Sequence, residues 1–167
     1  MKDLLNSSVS RKILLFSEKY CQYKVLGVDP GAVRVGIAVS DTIGMLARPL
    51  CVLDRRKPAP AARVADVARR EGVRVIVVGL PLNSDGSEGP AAIKARWFAD
   101  KIRQAIGSDE IQVILWDERY TSVDAAELQE QAGAAKHSHG VVDDWAAALI
   151  LQSWLDESAK KRPSNEG

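Results

Sequence analysis

The sequence is poor in the residues that mark a secreted scaffold or a thiolate metal site. Its two cysteines, Cys21 and Cys51, have neither metal-ligand spacing nor the density of a disulfide framework, so they read as free thiols in a reducing compartment. Its two histidines, His137 and His139, sit in a loop of small residues, Gly133 to Gly140, where solvation explains them better than catalysis. Long apolar runs are missing as well. The stretch Ile13 to Phe16 is cut off at once by Ser17, Glu18 and Lys19, which excludes a signal-peptide core or a membrane span. The expectation is a soluble, cytoplasmic protein without a membrane partner. Nor is there an excess of charge of one sign: 23 Lys and Arg against 22 Asp and Glu leave +1, too little for a uniformly basic coat.

What is present fits one core. A chain of 167 residues with 46% hydrophobic content is long enough for a packed domain and too short for two ordinary ones. Residues 1–22, polar and mixed, form an N-terminal extension; 23–158 form the domain; 159–167 form a disordered tail. The small net charge hides a pattern. Arg48 to Arg74 holds eight cations against three anions, a net of +5, whereas Val75 to Glu130 holds five against ten, a net of −5. Such a split suits a phosphate-attracting face beside a separate acidic site, or simply an ordinary solvated surface.

Periodicity supplies the elements. Val25, Leu26 and Val28 read as a buried strand ended by Asp29-Pro30-Gly31; Val33, Val35, Ile37 and Val39 alternate as a second; Leu46 to Leu53 makes a third. Ala61, Val64, Val67 and Ala68 recur at helical spacing until Gly72. Val73 to Val78 reads as a central strand covered on both faces. A helix over Pro90 to Ile106, a strand over Ile111 to Trp116, and helices over Thr121 to Gln131 and Asp143 to Glu157 follow. This order, βββαβαβαα, predicts an α/β fold with a mixed sheet and helices on both faces. The tryptophans, Trp97, Trp116, Trp145 and Trp154, are assigned to packing.

Three acids fall at element ends: Asp29, Glu118 and Asp143. Ligands of open α/β sheets bind beyond the carboxyl ends of parallel strands, so Asp29 and Glu118 converge if their strands are parallel neighbours. Carboxylates alone repel a phosphate, by ~1 kcal/mol each at 4 Å in water and ~4 kcal/mol at an effective dielectric of 20. A pair of divalent cations reverses that sign and serves in-line displacement at phosphorus. Oxygen ligands with few histidines point to Mg2+ or Mn2+ rather than zinc. Each acid also has a plain role: an Asx turn for Asp29, a surface ion pair with Arg119 for Glu118, a helix cap for Asp143 or Asp144. Thr121 with Asp124 resembles a capping box. Gly86 and Gly89 around Ser87-Glu88 lack a phosphate-loop pattern and read as a turn.

Four ordered segments together resemble the YqgF/RuvX family. They are Gly27-Val28-Asp29-Pro30-Gly31 with Arg34 to Asp41, Val77 to Asn83 with Asp85-Gly86, Asp117-Glu118-Arg119-Tyr120-Thr121, and Val142-Asp143 through Ile150-Leu151-Gln152. The resemblance implies an RNase H-like three-layer fold with a mixed five-stranded sheet, related to Holliday-junction resolvases. It implies a two-metal nuclease acting on pre-16S rRNA, with Asp29, Glu118 and Asp143 as catalytic and metal-holding residues. Arg34, Asn83, Arg119 and Thr121 would line or brace the site on the substrate side. The chain departs from the family pattern at Val141, where many relatives carry Lys, and residues 1–22 have no counterpart. Branched-DNA resolution and nucleic-acid binding without cleavage stand as alternatives, as does a sugar-kinase or actin-like ATPase, which one domain is too short to build. Assembly stays open, a homodimer included.

Overall fold

The apolar runs of the sequence become one sheet in the computed structural model, which describes residues 23–121, 125–131, 133 and 145–161. The strands are β1 (Val25–Pro30), β2 (Arg34–Ser40), β3 (Ala47–Asp54), β4 (Val75–Leu80) and β5 (Gln112–Asp117). The helices are α1 (Pro60–Glu71), α2 (Pro90–Ile106), α3 (Ala125–Gln131) and α4 (Trp145–Lys160), with a 3-10 turn over Glu118–Tyr120. Spatial order is β3-β2-β1-β4-β5. The first three strands form an antiparallel meander, and β4 and β5 join parallel to β1. This is the mixed five-stranded α/β sheet of the RNase H-like fold.

Alternation along the strands sorts side chains into two cores. Leu26, Val28, Ile76 and Val78 face α1 and α2, where they meet Val64, Val67, Phe98 and Ile102. Val25, Ala38, Val75 and Val77 face α4 and meet Ala147, Ala148, Ile150 and Leu151. Each such large side chain, fully buried, contributes ~1.5–3 kcal/mol. Gly27 lets α4 come close, because a Cβ there would lie 2.6 Å from Leu151 Cβ and 2.8 Å from the Ala147 carbonyl oxygen.

Several sequence expectations shift. Val33 stands outside β2 and is 50% exposed. From Val35 to Ser40 every residue is buried, so the small residues of the alternating pattern, Ala38 among them, pack toward α4 instead of facing water. Trp97 is 57% exposed on α2, with Lys101 Nζ 5.3 Å from its ring centre, whereas Trp116, Trp145 and Trp154 pack against the core. The chain forms a 3-10 turn after β5, and the helix expected from Thr121 is described from Ala125. The last helix runs on through Lys160. Among the described residues no helix is long and apolar enough to cross a membrane.

Candidate active site

Strands β1, β4 and β5 are parallel, so their carboxyl ends share one edge of the sheet. The pairings Val28↔Val78, Gly79↔Trp116 and Leu80↔Asp117 put Asp29 beside Gly79 and Glu118 one step beyond β5. Asp29 follows Val25 and Gly27 on the face covered by α4. The Glu118 carboxyl lies over the same face of β4, where a Cβ at position 79 would fall 2.5 Å from Glu118 Oε1 and 2.7 Å from Ile150 Cδ1. Burial raises the Glu118 carboxyl above its ordinary pKa, and the charges of Asp29 and then Asp117 push it further. Two carboxylates 89 positions apart in sequence therefore share one electrostatic field. Asp143 lies outside the described residues, as do Asp124, Val141, Asp144, His137 and His139.

The turn that carries Glu118 is tied on two sides. Asp117 accepts hydrogen bonds from the Arg119 backbone N–H at 2.9 Å, from Nε at 3.0 Å and from Nη2 at 2.7 Å, and Arg119 Nη1 reaches the Ser84 carbonyl at 3.3 Å. The Arg119 guanidinium holds the Asp117 carboxyl below its ordinary pKa. Arg119 thus pairs with Asp117, not with Glu118. On the other side, Trp116 Nε1 donates to Ser153 Oγ at 2.9 Å, and Ser153 Oγ donates to the Tyr120 carbonyl at 3.0 Å. The Tyr120 ring, 64% exposed, leans on Trp116 with ring centres 5.7 Å apart. The Thr121 backbone N–H bonds to the Glu118 carbonyl at 3.1 Å, while its buried hydroxyl has no hydrogen-bond partner among the described residues.

Asn83 follows β4, the strand between β1 and β5, whereas Arg34 opens β2, on the other side of β1. Asn83 Nδ2 donates to Ser87 Oγ at 2.8 Å, and Ser87 donates in turn to Asp85 Oδ1 at 2.6 Å from its hydroxyl and 2.9 Å from its backbone, so Asn83 braces its own loop. Arg34 opens β2 on the same face as Gly36, the partner of Asp29. It is exposed and makes no side-chain hydrogen bond or ion pair with the described residues. Arg55 supports the turn after Asp29: its Nη1 donates to the Gly31 carbonyl at 2.8 Å and the Pro30 carbonyl at 3.3 Å, and its guanidinium lies 4.6 Å from the Phe98 ring centre.

Sequence reasoning missed Gly79, Ser153 and Arg55. Gly79 left one signal, a glycine at the end of a β-branched run that any larger residue would have filled. Ser153 left none, because its role depends on where α4 lies. The donors brought together are hard carboxylate oxygens in a field that strengthens proton binding, an arrangement that fits a hard divalent cation better than a softer metal. Among the described residues no third acid, histidine or cysteine completes such a cluster.

Comparison with known proteins adds the context. A family model described as "RuvX: Holliday junction resolvase" matches residues 23–157. A protein of Anaeromyxobacter dehalogenans named "Putative pre-16S rRNA nuclease" is 46% identical over 138 residues, covering 81% of this chain and 98% of that protein. One of the same name from Myxococcus xanthus is 41% identical over 135 residues, covering 80% and 87%. Among solved structures, T. thermophilus RuvC in complex with Holliday junction substrate superposes with a TM-score of 0.60 at 18% identity, covering 83% of this chain and 97% of that one. At that identity the likeness speaks for the fold.

Proposed function

The chain belongs to the RuvX family, and on that premise we propose that it is a cytoplasmic nuclease that hydrolyses phosphodiester bonds in pre-16S rRNA. Asp29, Glu118 and Asp143 would hold the divalent metal, Mg2+ or Mn2+ in a two-metal site, within a catalytic domain spanning 23–158. The observation that supports this reading is the Glu118 carboxyl lying over the bare α-carbon of Gly79, within the field of the Asp29 charge. Carboxylates so placed cost stability and repel a phosphate unless a cation joins them. The names of the curated relatives supply the RNA substrate.

The residues divide into those that hold and those that brace. Asp29 and Glu118 project from parallel strand ends, so the rigid sheet sets their spacing before substrate arrives. The chemistry that bound divalent metal supplies is a water made nucleophilic near neutral pH and offset of the charge developing on the leaving oxygen. Arg34, an exposed guanidinium on the same face, would take phosphate oxygens in a forked pair. Arg119 and Asn83 fix the turn and loop that border Glu118. The Thr121 hydroxyl offers one more oxygen beside the turn.

The test is purified protein incubated with pre-rRNA fragments and with four-way DNA junctions, each in magnesium, manganese or chelator. Cleavage of the RNA that stops in chelator and in the Asp29→Asn variant is expected, with the variant's fold intact by circular dichroism. Cleavage undiminished in that variant defeats the proposal. The description of the family model favours a second reading, junction resolution, which the DNA arm measures directly.

A further inference from the structure

The basic segment noted in the sequence splits in space. Arg69 bonds to the Ala105 and Ile106 carbonyls at the far end of α1, at the opposite end of the sheet from Asp29. Arg55, Arg56, Lys57 and Arg63 gather at the near end. Asp54 closes β3 opposite Arg34, the Arg55 backbone N–H bonds to the Val33 carbonyl at 2.9 Å, and Arg63 Nη2 donates to the Asp54 carbonyl. With Arg34, this corner beside the Asp29 turn carries five cations against one anion, Asp54, a net of +4.

The other flank of the acid pair differs. There Lys94, Arg96 and Arg119 stand against Asp85, Glu88 and Asp117, a net of zero, with Arg96 paired to Glu88 and Arg119 to Asp117. Among the described residues, a polyanion crossing the Asp29–Glu118 site thus meets net positive charge on one side only. At physiological salt exposed charges act over ~8 Å, so this local imbalance, not the overall +1, steers the backbone.

Resting on the nuclease reading, we infer that the strand flanking the scissile phosphate runs over the corner where β2 begins and β3 ends, with Arg34, Arg56 and Lys57 contacting successive phosphates. Arg55 and Arg63 add to the field from behind, each tethered to backbone carbonyls that keep it there. Arg56 is 74% exposed and forks onto both Asp54 carboxylate oxygens at 3.0 Å, a bidentate geometry that a phosphate's oxygens can take over. Lys57 is exposed and makes no side-chain hydrogen bond or ion pair with the described residues.

The test measures binding without cleavage. A fluorescein-labelled RNA hairpin with a single-stranded 5′ arm is titrated with full-length protein in chelator at several salt concentrations. The double variant Arg56→Ala/Lys57→Ala should bind more weakly, and its log–log salt slope should fall by about 1.4, two phosphate contacts at ~0.7 each for single-stranded nucleic acid. Lys94→Ala/Arg96→Ala on the other flank should keep the wild-type slope. Both pairs are exposed, so matching melting temperatures are expected. Equal slopes in wild type and the corner variant overturn the inference, as do equal losses on both flanks. Metal-dependent cleavage is scored separately: slopes as expected without cleavage by wild type sink the nuclease reading and leave the surface, whereas cleavage with unchanged slopes does the reverse.

Discussion

Glu118 fills the space above Gly79 that a side chain on β4 would otherwise occupy. The parallel register sets Gly79 on the strand between β1, which carries Asp29, and β5, so a methyl group there would press on the Glu118 carboxyl and on Ile150. Gly79→Ala should cost ~1–3 kcal/mol by overpacking and remove most of the cleavage activity. Trimming the second clash with Ile150→Val should recover stability, read by urea unfolding, without recovering cleavage. Wild-type rates in Gly79→Ala would show that the carboxyl position is not set by this strand.

The same crowding carries a pH signature. Burial, then the charge of Asp29, raises the Glu118 carboxyl above its ordinary value, so the folded state binds its proton more tightly than the unfolded chain does. Its favourable contribution is complete below the ordinary glutamate pKa and is lost as pH rises through the raised folded value. In chelator, Glu118→Gln should therefore melt higher than wild type at neutral pH, and the gap should close toward acid. Adding magnesium should raise the wild-type melting temperature and leave the variant nearly unmoved. A variant that melts lower than wild type at neutral pH contradicts this account.

Much of this was legible in the chain. Val25 to Val28 and Val73 to Val78 announce central strands because strands covered on both faces need unbroken apolar runs, and Asp29 at the end of one points to the carboxyl edge. Adjacency alone makes Arg119 one candidate partner for Glu118. Only the 3-10 turn, invisible to periodicity, hands it to Asp117. Trp97 looked like core from its residue type, yet α2 turns it outward, since Ala92, Ala95, Phe98 and Ala99 already fill the buried face. Ser153 and Arg55 could not be found in advance, for each acts on a segment remote in sequence.

Arg119 is a test of shape against charge. Its guanidinium bonds to Asp117 and to the Ser84 carbonyl at once, joining the Glu118 turn to the Asn83 loop. A lysine keeps the charge but not the fork. Arg119→Lys should lose about tenfold in kcat, a barrier change of about 1.4 kcal/mol, with faster amide exchange at Gly86 and Ser87. Unchanged exchange in that loop would mean the guanidinium serves the substrate directly instead.

Gln152 probes the far end of the sheet, where stability and chemistry separate. Its buried amide accepts from the Ala47 backbone N–H and donates to the Met45 carbonyl and Asp156 Oδ1, all at 2.9 Å, fastening the β2–β3 connection to α4. Ala47 begins β3, whereas the acid pair lies at the end where β3 finishes. Gln152→Leu leaves the buried Ala47 backbone N–H without a partner, at a cost of ~1–3 kcal/mol. The midpoint of urea unfolding should fall accordingly, while kcat per folded molecule holds at a temperature well below the transition. A loss of kcat under those conditions would show that α4 transmits strain from this joint to the carboxylates.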